Sequence, residues 1–317
     1  MFGDARFDWI ADFSGYGPVW TALLLHAPRH RENGERVTHA VWMHNEMASD
    51  RERTVNGKAS MRRALGAVFS MYSEHDQLVS VSPQLTELNR RELSEYAPSD
   101  RFRTVRNFPD PEHVLFGMRR PLVEVLDEDE PEPTWFTSLQ DETDGLKWFI
   151  TVGRLSPEKN HARLIRAFRA VHEQHPNARL LIVGGGPLRG PLQQQIDADG
   201  LSDVAFLTGA RRNPHVLMAA ADCFVMSSRY EGQPMVLLEA AIAELPIVST
   251  SFASVKDALP PGAIRIVDQS DDELVEGMNA FLRGEVEPAQ VDADDYIAEV
   301  MAEFEALLPA PQPKVED

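Results

Sequence analysis

One cysteine, Cys223, stands in 317 residues, so no disulfide can form within the chain. Such sparing use fits a reducing compartment, the cytoplasm first among them. Cys223 lies in the apolar run ADCFVMSS, where a buried core thiol is expected. No apolar run approaches the roughly 20 residues that a membrane-spanning helix needs. The opening MFGDARFDW has neither a basic stretch nor an apolar core behind it, so no secretory leader is expected. No His/Cys cluster has zinc spacing, and no G-x-S-x-G nucleophile turn occurs. Internal repeats are lacking as well. Basic side chains are scarce: 31 Lys and Arg face 50 Asp and Glu, for a net charge of −19. A chain of that sign is not built to hold nucleic acid or an anionic membrane as its main partner.

The acidity is uneven. Residues 1–110 carry a net −1, 111–146 a net −8, 147–267 a net +3, and 268–317 a net −13. The mildly positive block suits a small anionic ligand. Length predicts two domains of ordinary size, and 43% hydrophobic residues are enough for two cores. Apolar runs alternate with helical patterns throughout, the mark of α/β architecture. Strands are expected at RFDWIADF, THAVWM, DQLVSVS and RFRTVRNF in the first part. They are expected again at KWFITVG, ARLLIVGGG, VAFLTG, DCFVMSS and LPIVSTS from Lys147 onward. The latter are apolar on both alternations, as strands of a parallel sheet covered on both faces are. Between the two sets, residues 116–146 are rich in proline and acid and poor in periodicity, which reads as a linker or excursion. Residues 271–317 read as acidic helices and a tail.

In open α/β sheets, ligands bind beyond the carboxyl ends of the strands. Four loops of the second half lie at that edge. GRLSPEKN, residues 153–160, offers Gly153, Arg154 and Lys159; two cations there suit a diphosphate, or else solvent. VGGGPLRGP, residues 183–191, brings three glycines including Gly185 after a strand. They permit close approach to a ligand, or simply a tight turn. LTGARRNP, residues 207–214, offers Gly209, Ala210 and Arg211 as a rim for a base, or as solvated surface. SSRYEGQPMVLLEA, residues 227–240, places Glu231 before a helix that Pro234 would open and Glu239 one turn inside it. The amides around Gly232, Gln233, Pro234, Met235 and Val236 would then form an anion-favouring helix start. Two carboxylates at different depths of one crevice could each accept from paired sugar hydroxyls. The Asp-x-Asp triplets at 127–129 and 197–199 lie in the acidic stretch and at a helix end, so no metal is expected. His44, in VWMHNE, ends a strand of the first half, where it could face a cleft or serve structure alone.

The order and spacing of VGRLSPEKN, LLIVGGGP, FLTG and the Glu-x7-Glu of SSRYEGQPMVLLEAAIAELPIVST resemble the retaining GT-B glycosyltransferases of family 4 (glycosyltransferase group 1). DQLVSVSPQLTEL and FRTVRNFPD resemble the acceptor half of the same family, and FDWIADFSGY resembles enzymes of teichoic-acid-type polymer synthesis. The resemblance implies two Rossmann-type doubly wound domains with parallel sheets: an acceptor side over 1–115 and a donor-binding domain over 147–270. It implies transfer of a sugar, with retention, from a nucleotide-diphosphate donor, a UDP-sugar first. The acceptor would be a cell-envelope glycan, a polyol-phosphate polymer or a lipid-linked sugar. Arg154 and Lys159 would hold the diphosphate, Glu239 the ribose, Glu231 the transferred sugar, and His44 would lie near the anomeric centre. No metal or other cofactor would be needed, and the enzyme would work in the cytoplasm or at the inner face of the membrane. Only four strands precede residue 110, against about six in a doubly wound half. The first domain is therefore expected to be short by its first strands, and a complementing chain is a candidate partner. A weak donor-binding module or a sugar-nucleotide epimerase are the alternatives. A polyanionic acceptor would need a basic patch, for which Arg51, Arg53, Lys58, Arg62 and Arg63 are candidates, or else a solvated helix face.

Overall fold

The computed structural model describes residues 7–26, 37–52, 62–126, 131–140, 145–260 and 262–309. The chain forms two compact units, residues 1–107 with 294–317, and residues 108–293. In the first unit, β1 (Trp9–Asp12), β2 (Thr38–Met43), β3 (Gln77–Ser80) and β4 (Phe102–Thr104) form a parallel sheet in sequential order. These are the four strands expected from the sequence. Alternation splits the sheet between two cores. Val41, Met43 and Leu78 pack with Leu65, Val68, Phe69 and Tyr72 on one side. Ala40, Trp42 and Val79 pack with Leu85, Val300 and Leu307 on the other. Helices α1 (Pro18–Leu25), α2 (Met47–Glu52), α3 (Arg62–Phe69) and α4 (Pro83–Glu92) accompany the strands. Ser82 caps α4 by accepting from the Leu85 amide, with Pro83 as its first residue.

The second unit opens with α5 (Pro111–Met118) and α6 (Thr134–Gln140). Its sheet is six-stranded and parallel: β5 (Lys147–Val152), β6 (Ala178–Val183), β7 (Ala205–Gly209), β8 (Cys223–Met226), β9 (Ile247–Thr250) and β10 (Arg265–Val267). The order β10-β9-β8-β5-β6-β7 makes it doubly wound, with the reversal between β5 and β8. Helices α7 (His161–Gln174), α8 (Arg189–Ala198), α9 (His215–Ala219), α10 (Met235–Ile242) and α11 (Asp271–Leu282) complete it. Leu164, Ile165, Phe168 and Val171 form the buried stripe of α7 that the periodicity predicts. Gly200, at φ 72°, ends α8 in the left-handed conformation that favours glycine. Cys223 is completely buried, and burial pushes its thiol pKa up, as a core thiol requires.

Two expectations are corrected. Within 116–146, the described residues are not a linker. Trp135 and Phe136 are buried, and α5 packs on α9 and α10 of the second unit. The segment was misread because its anchors are distant in sequence: the Arg211 guanidinium sits 5.5 Å from the Trp135 ring centroid. The helices expected in residues 271–317 are present, but they divide between the two units and do not form one separate segment. α11 packs in the second unit against α7 and β9, while the final helix, α12 (Ala293–Glu305), belongs to the first unit. Arg106 holds it there: its Nε donates to Glu303 at 2.8 Å, an Nη donates to Glu299 at 3.0 Å, and its guanidinium lies over Tyr296. Strand β10 escaped the sequence reading because Arg265 and Ile266 are exposed and leave no apolar run. Among the described residues, no helix is long and apolar enough to cross a membrane.

Candidate functional site

The reversal of strand order brings the ends of β5 and β8 side by side, and the loops that leave them carry the charged residues. Lys159 Nζ meets Glu231 Oε1 at 2.7 Å. The Glu231 side chain is 11% exposed and that of Lys159 21%, so the pair is largely withdrawn from water. The neighbouring hydroxyls fix it. Ser228 Oγ donates to the same Glu231 oxygen at 2.6 Å, and Ser254 Oγ donates to the Glu231 carbonyl at 2.9 Å. Ser227 Oγ donates to the carbonyl of Lys159 at 2.9 Å, tying the two loops together, and Thr250 Oγ1 does the same for Ser228 at 2.7 Å. Asn160, in the left-handed conformation at φ 52°, turns the chain directly after Lys159 into α7. Arg154 is exposed in the same loop, and no hydrogen bond or ion pair of its side chain occurs among the described residues.

Three strand-end loops are laced together beside this pair. The Gly153 amide donates to Val183, Leu155 to Gly185, and Gly184 to Gly209, each at 2.9 Å. A Cβ at Gly184 would lie 1.9 Å from the Gly153 carbonyl oxygen, and one at Gly186 would lie 2.5 Å from that of Leu155. Two of the three glycines are therefore demanded by loop-on-loop packing, with no ligand needed to explain them. Gly185 is not: its Cβ would make an ordinary 3.5 Å contact with Ala210. Gly209 adopts φ 85°. Arg211 is turned to structural use: its Nη groups donate to Val125 at 3.2 Å and Thr208 at 2.6 Å.

Helix α10 follows Glu231 within four residues. It begins at Met235 with Pro234 as its cap residue, one position later than a first-turn proline would give, and no side chain caps it. The Met235 amide turns back to the Gln233 carbonyl at 3.0 Å and the Leu237 amide to the Pro234 carbonyl at 2.9 Å, so of these first-turn amides that of Val236 is the one left to face an anion. Gly232 is buried and Gln233 half-buried. Glu239, one turn on, is 24% exposed and lies 3.6 Å from His215 Nε2. The sequence reading overlooked His215, because nothing in NPHVLMAAA distinguishes it from a core histidine.

In the first unit, His44 is half-buried and its Nε2 lies 2.8 Å from the Phe13 carbonyl. A carbonyl only accepts, so Nε2 carries the proton, which leaves Nδ1 as an acceptor in the neutral ring. Arg51 donates to the Tyr96 hydroxyl at 3.0 Å, and Arg51 and Arg62 both pair with Glu52. Arg53 and Lys58 lie outside the described residues, as do 127–129. Asp197 accepts from Gln193 and Ser202, which lowers its pKa. Among the described residues, no three His, Cys, Asp or Glu side chains gather as metal ligands do.

The family model described as "Glycosyl transferases group 1" matches residues 139–298. An uncharacterized glycosyltransferase of Methanocaldococcus jannaschii is 41% identical over 102 residues, 32% of this chain and 25% of its own length. The alpha-monoglucosyldiacylglycerol synthase of Acholeplasma laidlawii is 30% identical over 162 residues, 48% of this chain and 40% of its own. The matches thus span well under two thirds of those relatives. Among solved structures, Anabaena HepE in complex with UDP-glucose superposes with a TM-score of 0.68 at 15% identity, covering 95% of this chain and 77% of that one. Sucrose-phosphate synthase from Thermosynechococcus elongatus gives 0.64 at 17% identity, covering 96% and 72%.

Proposed function

The chain belongs to the glycosyl transferases group 1, with the α/β, parallel-sheet fold of the GT-B glycosyltransferases, and from that membership we propose that it moves a hexose from a UDP-sugar, with retention, to an acceptor of the cell envelope. The observation that carries this reading is the Lys159–Glu231 pair at the point where strand order reverses in the second unit. A sugar nucleotide has both halves of the complementary charge pattern: an anionic diphosphate for Lys159 and Arg154, and hydroxyl donors for Glu231 and Glu239. Gly153, Gly185, Gly209 and Ala210 line the strand ends where the nucleoside would lie. HepE and other structural relatives were crystallised with UDP or UDP-sugars, which supports the choice of base.

In this reading the bond from the anomeric carbon to the diphosphate oxygen breaks, and that oxygen keeps the electron pair. A new bond forms to an acceptor hydroxyl, which gives up its proton. Negative charge grows on the diphosphate, and fixed positive groups aimed at it lower the barrier. Arg154, Lys159 and the Val236 amide at the start of α10 are those groups, with no metal assigned a part. Glu231 holds the sugar as it gains oxocarbenium character, and Glu239 holds the ribose. His44, with Nδ1 as its acceptor, is assigned to the anomeric side on family resemblance. The acceptor class is a glycan, a polyol-phosphate polymer or a lipid-linked sugar, met in the cytoplasm or at the inner membrane face.

The test is a thermal shift series with UDP-, GDP-, ADP- and CDP-glucose, joined to an assay of nucleoside diphosphate release. One UDP-sugar is expected to raise Tm progressively with concentration, as binding to the native state alone requires, and to turn over. Binding without turnover would reduce the chain to a donor-binding module, and a free epimer as product would make it an epimerase.

A further inference from the structure

His215 is nearly buried at the start of α9, yet it points a ring nitrogen at a carboxylate. Its Nε2 lies 3.6 Å from Glu239 Oε2, too far for a hydrogen bond and near enough to form one after a small movement. The ring has little freedom to do anything else. His113 of α5 stands edge-on to it at 5.7 Å between centroids. The His215 amide donates to Asn213 Oδ1 at 3.2 Å, and Asn213 in turn donates to the Gly117 carbonyl at 2.8 Å. Gly117 gives the room: a Cβ there would lie 2.9 Å from His215 Nδ1. So α5, α9 and α10 meet around one imidazole, and the one acidic group it faces on α10 is Glu239. A glutamate one turn inside an apolar helix has three side-chain torsions. A carboxylate that must meet two vicinal hydroxyls at once benefits from a further donor that holds it in the bound orientation.

We propose that His215 is a positioning residue for the nucleotide-ribose subsite: its Nε2–H takes Glu239 Oε2 when the donor binds, which turns Oε1 and the remaining lone pair of Oε2 toward the ribose diol. The inference rests on the assignment of Glu239 to the ribose. It makes the α5–α9–α10 junction part of donor recognition, although α5 lies outside the donor motifs. His215 does not touch the transferred sugar or the diphosphate, so its effect is confined to binding the ribose.

The experiment compares binding of UDP and of 2′,3′-dideoxy-UDP to the full chain and to two variants, by calorimetry. His215→Phe fills the space without the donor, and His215→Gln returns an N–H at a similar reach. The wild type is expected to bind UDP more tightly than the dideoxy compound. His215→Phe is expected to lose about tenfold toward UDP, the scale of one hydrogen bond to a charged group, and nothing toward dideoxy-UDP. His215→Gln is expected to recover most of that loss. Equal loss toward both ligands in His215→Phe would mean a packing role and overturn the inference, as would unchanged affinity for both. Wild type that binds UDP and dideoxy-UDP alike would overturn the ribose assignment of Glu239 beneath it, and wild type that binds neither would overturn the UDP reading as a whole.

Discussion

Glu231 and Lys159 neutralise each other across 2.7 Å, and that makes each a poor residue to remove for a clean answer. Taking away either charge strands the other in a largely dry place, at a cost on the order of 1–3 kcal/mol. A substitution that keeps the hydrogen bonds separates structure from chemistry. Glu231→Gln retains a carbonyl oxygen for Ser228 and Lys159 and loses only the charge. We expect it to cut transfer by about 100-fold or more, the scale of losing a group that acts on developing charge, while nucleoside diphosphate affinity stays near that of the wild type. Donor turnover and calorimetry on the same preparation check both halves. Wild-type turnover in the variant would remove Glu231 from the mechanism. The pair itself was legible as two residue types at two loops, but its direct contact was not: 72 positions separate them, and only the reversal of strand order brings them together. Arg211 shows the converse. Its charge looked available in LTGARRNP, yet the carbonyls of Val125 and Thr208 hold it, and Val125 lies in a stretch that reads locally as acidic and irregular.

Among the elements, strands were the most legible, because buried parallel strands are runs of Val, Ile, Leu and Phe that nothing else in the chain imitates. The glycines after β6 were legible as a loop and ambiguous as a site, and the structure resolves what two of them do. Gly184 and Gly186 let the loop after β6 lie against the loop after β5, and so fix the backbone that carries Arg154 and Lys159. Replacing Gly184 with alanine pushes a methyl into the Gly153 carbonyl and demands φ near 149° from a residue with a side chain. Overpacking and backbone strain together should cost roughly 3 kcal/mol, visible as a lower urea midpoint, and should weaken donor binding by displacing the first cationic loop. Gly190, inside α8, is the control. A Cβ there meets nothing within 4 Å, so Gly190→Ala should be neutral or stabilise by up to about 1 kcal/mol through helix propensity. Matching losses in both variants would refute the account of loop packing.

Across the whole molecule, the alternation of apolar runs with helical patterns made two parallel-sheet units legible, whereas the division between units was hidden in long-range packing. Helix α12 returns to the first unit through Arg106, about 190 residues away, and no local pattern announces that. Overall charge gave one correct impression, that the acidity avoids the 147–267 block, and stability against pH should reflect particular buried groups more than the net −19. His161, two residues after Lys159, is the clearest. Burial, aided by the Lys159 charge, lowers its pKa from 6.5 to about 4. The unfolded chain takes up that proton as pH falls through 6.5, and the folded chain refuses it until about 4. The contribution is therefore complete above pH 6.5 and is lost progressively between 6.5 and 4, in total about 3 kcal/mol. Asp271, held below its ordinary value first by its hydrogen bonds from Arg166, adds a second loss with the same sign at lower pH, where carboxylates protonate. Urea unfolding at intervals from pH 7.5 to 4.5 should show the midpoint falling most steeply below 6.5. His161→Gln, which carries no titrating ring, should flatten the curve between 6.5 and 4.5 while leaving the decline at lower pH. A variant as steep as the wild type in that window would show that His161 is not the group that sets it.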